Sequence, residues 1–314
     1  MSFNDYNKCN LKLLRRSKIM RFKRYSPLYL LVLPAILYIF IFNYAPLYGI
    51  QIAFKNYRSS KGILGSPWIG WENFVRFLTY PDFWNLIINT LRLSLYSLAT
   101  FPCALILALS INEVGHQKYK KLVQMLTYMP HFISVVVLVG MLNLFFAQSN
   151  GLFNNLFELI GLRRQAYLTE PGYFPHLYIW SGIWQNIGWG SIIYVAALAG
   201  VSPELIEAAR IDGANRLRVI WHVNIPSILP TIVILLILST GNILSIGFEK
   251  VYLMQNAPNL SVSQVISTYV YQIGLISGQF SYSAAIGLFN NVVNVIILLI
   301  VNRIASRFSG TSLF

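Results

Sequence analysis

Six stretches of this chain, at 28–48, 88–111, 122–146, 177–199, 228–248 and 284–304, are apolar over lengths that a water-soluble fold rarely leaves uninterrupted. Crossing a hydrocarbon core of about 30 Å takes about 20 helical residues, and each stretch reaches that length. Backbone N–H and C=O groups find no water inside lipid, so a crossing segment must satisfy them internally as a helix or within a closed barrel. Long apolar runs without two-residue alternation are the helical solution. The expected fold is all-α, a polytopic membrane protein with six transmembrane helices. Composition agrees, with 56% hydrophobic and only 11% charged residues, against about 25% charged in soluble domains.

The formal net charge of +14 does not point to nucleic acid, because the basic residues are spread over loops and not focused on one face. Membrane proteins keep Lys and Arg in cytoplasmic loops for topological reasons. With the N-terminus inside, two thirds of the 24 Lys and Arg residues fall on inner segments, the tail before the first span contributing half of these. Both termini are then cytoplasmic, as is the loop at 201–226. The organisation expected is a basic tail at 1–26 that can lie on anionic membrane lipid, a six-span domain at 27–308 and a short tail at 309–314. The first apolar run is too long for a signal-peptide core and no small-residue cleavage site follows it, so it reads as a retained span. Cys9 and Cys103 offer neither a disulfide framework nor a metal cluster.

Outside the membrane, residues 151–162 place Phe153, Leu156, Phe157 and Ile160 on one helical stripe. An interfacial helix on the outer leaflet and a docking surface for an external partner both fit. The outer segments at 51–82 and 249–282 are long enough to be ordered contact surfaces. Glu249 beside Lys250 reads as a local ion pair.

The loop at 201–226 is polar and helix-forming. Ser202-Pro203-Glu204 reads as a helix start, with a Ser cap, Pro in the first turn and an acid behind it. Gly213 then permits a turn. A second helical piece, 214–223, is expected to end near Pro226. Small side chains at Ala208 and Ala209 allow a partner surface to approach closely, and Glu207 can cap or pair with Arg210 or Arg218. An ordinary amphipathic connecting helix would look much the same.

Glu207, Ala208 and Ala209, then Gly213 after three residues, then Val223, Ile225 and Pro226 after nine more, resemble the cytoplasmic signature of binding-protein-dependent ABC importer permeases. Val223 and Ile225 depart conservatively from the family's Ile and Leu. Residues 207–215, EAARIDGAN, are similar to the carbohydrate-uptake class, as are GIQIAFK at 49–55, SPWIG at 66–70, YMPHFIS at 128–134 and GFEKV at 247–251. The resemblance, to the polysaccharide or multiple-sugar branch with its maltose-permease-like members, covers residues 26–308.

That resemblance implies a type I ABC importer permease, in a bacterial-type cell membrane, for an oligosaccharide or polysaccharide fragment. It implies a second related permease, two cytoplasmic ATPase subunits and an extracytoplasmic substrate-binding protein as partners. It makes the loop a coupling helix, with Glu207, Ala208, Ala209, Asp212, Gly213, Ile225 and Pro226 as its ATPase-coupling residues. No lysine here follows a glycine, so there is no phosphate-cradling P-loop. The chain is expected to carry no cofactor and no catalytic centre, with ATP and Mg on the partner subunits.

Polar groups inside spans are costly and mark pathways or helix contacts. Trp184, Gln185 and Asn186 in span four, with Asn242 and Ser245 in span five, supply the aromatic faces, amides and hydroxyls that sugars need. Helix-to-helix hydrogen bonding explains the same residues equally well. An ion-driven secondary transporter would want acids or inverted repeats inside the membrane, whereas all ten acids lie in loops or at span ends. The same kind of machine for another solute, such as glycerol phosphate, is disfavoured by the resemblance alone.

Overall fold

The structure is a computed structural model that describes residues 25–241 and 243–310. The expectations for residues 1–24, Asn242 and 311–314 lie outside the described residues. The described chain is helical, with no strand beyond an isolated bridge between Lys55 and Trp68. It divides into two compact units, residues 1–68 and 69–314.

The first unit holds α1 (Tyr25–Phe54), which is 30 residues long. Pro46 cannot donate to a helical carbonyl, and the helix answers with a wide π turn at Phe40–Tyr44, then 3-10 geometry over Ala45–Phe54. The segment after it is pinned by its own side chains. Lys55 Nζ donates to the Ile63 carbonyl at 2.7 Å and lies 4.9 Å from the centre of the Trp68 ring, while Ser66 Oγ accepts from the Arg58 backbone N–H at 3.0 Å. The family-like runs at 49–55 and 66–70 therefore meet in one fold.

The second unit runs through α2 (Glu72–Leu78), α3 (Phe83–Asn112), α4 (Gln117–Phe132), α5 (Val135–Phe145), α6 (Leu152–Leu159), α7 (Phe174–Ala199), α8 (Pro203–Ile211), α9 (Arg216–Thr240), α10 (Phe248–Met254), α11 (Ile266–Ile276) and α12 (Phe280–Ser309). Four helices, α1, α3, α9 and α12, are each long and apolar enough to cross a membrane. The bent pairs α4 with α5 and α7 with α8 bring the total to six. At 1.5 Å per residue the 26 residues of α7 reach about 39 Å unaided.

Three boundaries differ from the sequence expectation. The apolar run at 122–146 is not one rod, because α4 and α5 meet at 98°. Pro130 tightens the end of α4 into a 3-10 turn, Ile133 is extended, and Ser134 starts α5 by accepting the Val137 N–H at 3.3 Å. The helix after Gly213 does not end near Pro226. A π turn at Ile220–Asn224 widens the backbone just before the proline and carries α9 on to Thr240. The fifth span therefore starts and stops earlier than 228–248, and Phe248 opens a separate helix.

Packing orders the bundle from end to end. Phe83 and Leu86 of α3 pack with Ile266, Tyr269, Tyr282 and Ile286 at one end. Ala108 and Leu109 at the far end of α3 pack with Tyr194 and Leu198 of α7 and Ile228 of α9. The loop carrying α8 therefore emerges at the same end as the α3–α4 connection. Between these ends, α4 crosses α7 at Gly188, where an added Cβ would strike the Thr127 carbonyl. Small residues at such crossings replace the hydrophobic effect as the source of helix packing in lipid. Gly188→Leu is expected to force the two helices apart at a cost of about 1–3 kcal/mol or more, read as a lower melting temperature of the detergent-solubilised protein by size-exclusion thermostability.

Candidate functional site

Two features stand out, an exposed loop at one end of the bundle and a cavity within it. In the loop, Ser202 takes the extended N-cap backbone, but its hydroxyl donates to Glu204 Oε2 at 2.9 Å and caps no backbone amide. The cap expected of it is thus diverted to the neighbouring acid. The other end of α8 is closed by backbone alone. Gly213 adopts φ +77°, its N–H bonds the Arg210 carbonyl at 3.1 Å, and the Ala214 N–H reaches back to the Ala209 carbonyl at 2.9 Å. These two bonds form a Schellman motif. Asn215 then caps α9 by accepting from the Arg218 N–H at 2.9 Å.

Glu207, Ala208, Asp212 and Gly213 are exposed, with Ala209 half-buried. Among the described residues Glu207 forms no ion pair with Arg210 or Arg218. Exposed apolar side chains accompany them, Leu205 at 54%, Ile211 at 86% and Leu217 at 66%. The two ends of the sequence pattern do different jobs. Ile225 packs against the Ala108–Leu198–Ile228 core, and Pro226 sits inside α9.

The cavity, of about 640 Å³, lies between α3, α7 and the segment from Leu235 to Lys250. Gln185, Asn186 and Ser245 line it, whereas Trp184 does not; Trp184 points outward and is 46% exposed. Asn242 lies outside the described residues. The three that line the cavity are engaged by neighbours. Gln185 Nε2 donates to the Ile133 carbonyl at 2.7 Å, the group freed by the α4–α5 bend. Asn186 donates to the Gly182 carbonyl at 3.1 Å and meets His131 Nδ1 at 3.0 Å, while His131 stacks on Trp189 with ring centres 4.4 Å apart. Ser245 Oγ accepts from Asn294 Nδ2 at 2.9 Å.

Lys250 is the residue that sequence reasoning misplaced. It makes no ion pair with Glu249 among the described residues. It turns inward, 8% exposed, and lines the cavity. Nζ donates to the Tyr178 carbonyl at 2.7 Å and lies 4.8 Å from the centre of the Tyr178 ring. Just beyond the end of α9, burial lowers its pKa to about 8, because desolvation disfavours the charged form. The available signal was a lone lysine in the apolar context FEKVYLM.

In α6 the predicted apolar stripe is divided, and the helix ends before Ile160. Phe153 and Phe157 turn in toward Phe146 and Tyr167, but Leu156 and Ile160 remain exposed at 48% and 71%. The fully buried Asn154 ties the segment together by donating to the Ala147 and Gln165 carbonyls, both at 3.0 Å. Arg164 bonds Glu158 at 2.7 Å and Asn155 at 2.9 Å.

Residues 100–310 match the family model described as the binding-protein-dependent transport system inner membrane component. The chain belongs to this family. It is 43% identical over 301 residues to the polygalacturonan/rhamnogalacturonan transport system permease protein YteP of Bacillus subtilis (strain 168), covering 96% of this chain and 94% of that one. Protein LplB of the same organism is also 43% identical, over 93% of this chain and 92% of its own length. Among solved structures, one chain of a bacterial alginate ABC transporter, crystallised with an alginate pentasaccharide-bound periplasmic protein, superposes with a TM-score of 0.86. It is 39% identical, and the match covers 94% of this chain and 99% of that one. The all-α permease fold is thus the family's, and the chain is a membrane-embedded permease component.

Removing the amide at Gln185 tests how the cavity wall is held. Gln185→Leu leaves the Ile133 carbonyl unpaired at membrane depth, where an orphaned buried polar group costs about 1–3 kcal/mol. Hydrogen exchange in detergent or nanodiscs is expected to rise across the α4–α5 bend and not along α12.

Proposed function

We propose that this chain is a transmembrane permease subunit of an ATP-driven importer for an oligosaccharide or polysaccharide fragment. It works by alternating access, and partner ATPases act on it through the loop around Glu207 and Gly213. The carrying observation is the loop itself: a short helix with exposed apolar residues, closed by a rigid Schellman turn and seated at one end of the bundle. Exposed apolar side chains on such an element favour a protein partner. A helix held in a socket turns subunit motion into movement of the helices behind it.

The cargo reading is supported by the relatives. One is named for polygalacturonan and rhamnogalacturonan, and a 40% identical solved relative is described as involved in import of the acidic polysaccharide alginate. A second permease, two ATPase subunits holding ATP and Mg, and an extracytoplasmic binding protein complete the machine. The periplasmic protein crystallised with the alginate transporter supports the last of these. The Lys/Arg bias supports cytoplasmic termini and a cytoplasmic α8. The ordered outer segment around α6, with Leu156 and Ile160 exposed, then faces the side from which a binding protein would come.

Gly213→Val places a β-branched residue at φ +77°, a strain of about 1–2 kcal/mol, and Glu207→Lys reverses the charge of the exposed face. Both variants are expected to insert normally and to lose saccharide uptake by at least about tenfold, a coupling loss of the usual size. Gly213→Asn, which tolerates the left-handed conformation, should retain uptake. Wild-type uptake by Glu207→Lys and Gly213→Val would count against the coupling role. Co-purification of the tagged chain with a second six-span protein and a P-loop ATPase checks the assembly.

A further inference from the structure

The cavity holds one group whose capacity its structural contacts do not exhaust. An ammonium has three N–H donors, and Lys250 gives one to the Tyr178 carbonyl. The Tyr178 ring steadies the charge from 4.8 Å, but leaves donors without an acceptor. Among the described residues no carboxylate pairs with Lys250, and none of the residues lining the cavity is acidic. Among the described lining residues Lys250 is the only one with an acidic or basic side chain. Space is kept for the ammonium across the cavity wall, since a Cβ at Gly182 would stand 3.2 Å from Nζ.

A buried cation without a counter-ion is destabilising, and an apolar residue of the same length would remove the cost. An ionisable group buried in a cleft is a functional-site candidate, and Lys250 is buried on the wall of this cavity. A hydrogen bond to one carbonyl does not need a full charge. The charge itself therefore calls for an anion that comes and goes.

We propose that Lys250 is a specificity-determining residue of the cavity, and that it receives the carboxylates of an acidic saccharide as the chain passes. This rests on the transport reading above. Each carboxylate takes the donors left free by Tyr178 in charge-assisted hydrogen bonds. A single cation holds one uronate unit at a time, tight enough to admit it and weak enough to release it to the next. Asn186 and Ser245, which also line the cavity, offer polar groups to the hydroxyls between carboxylates.

The test is uptake of a galacturonate oligosaccharide, and of its neutral methyl ester, by the assembled importer with its binding protein in proteoliposomes. Rates are normalised to assembled complex. Lys250→Arg keeps the charge; Lys250→Gln keeps a donor for the Tyr178 carbonyl without it; Lys250→Met keeps neither. Uptake of the acidic sugar is expected to fall about tenfold or more in the Gln and Met variants, the size of one charge-assisted hydrogen bond, and to persist in the Arg variant. Near wild-type uptake by Lys250→Gln would reduce Lys250 to a pin between α10 and α7 and overturn the proposal. Equal loss in all three, Arg included, marks a packing defect and overturns it as well. A wild-type complex that imports the ester but not the acid refutes the acidic cargo and leaves the importer reading standing. One that imports no saccharide removes the importer reading and this inference with it.

Discussion

Water is absent from the interior of a bilayer, and every backbone group there must find its partner within the protein. Continuous helices do this by themselves. Breaks do not, and this bundle has several. At three of them, a polar side chain from another helix supplies a bond. Gln185 reaches the Ile133 carbonyl between α4 and α5. Ser94 of α3 donates to the Ile243 carbonyl past the end of α9, and Asn294 of α12 accepts the Leu244 N–H at 3.0 Å. Asn89 donates to the Ser261 and Gln264 carbonyls, and Thr90 Oγ1 accepts the Ile266 N–H at 3.1 Å where α11 begins. The polar residues scattered through the apolar runs are thus largely an internal substitute for solvent.

That substitution changes how polarity inside a span should be weighed. Gln185 is expected from the sequence to touch sugar, yet it mends broken backbone, as Asn294 does on α12. A side chain with a pathway role must have capacity left over after mending. Lys250 mends too, at the Tyr178 carbonyl, but it brings a charge and spare donors that a carbonyl does not require. Asn186 is intermediate, tied to its own helix and to His131 while still open to the cavity.

The membrane spans were legible because length and hydropathy are local properties, and lipid punishes any other reading of them. The Gly213 turn was legible for the same reason, as one residue decides whether φ can be positive. What failed depended on distant partners. The run at 122–146 is apolar on average; Pro130 and Ser134 mark its sharp bend locally, but the bond that satisfies the freed Ile133 carbonyl comes from Gln185, 52 residues away. Pro226 reads as a helix stop in isolation; the π turn before it persists because Ile220 and Ile225 are packed against the core of α3 and α7. Lys250 was assigned to its sequence neighbour, although its acceptor lies 72 residues earlier in the chain.

The continuity of α9 across Pro226 has a mechanical consequence. A helix ending at the proline would have left the exposed loop hinged to the membrane bundle through a flexible joint. Instead, the Schellman turn at Gly213 hands directly to a capped helix that runs unbroken from Arg216 to Thr240. Ile225 and Ile228 hold its first turns in the core. Its far end opens into the segment that carries Ser245 and Lys250 on the cavity wall. A rigid rod therefore joins the surface where a partner would push to the place where a substrate would be held. Helices of this kind move as bodies, because close-packed contacts have discrete arrangements and resist gradual deformation. The irregular backbone past Thr240, with its bonds to Ser94 and Asn294, is where such a displacement has most freedom to be taken up.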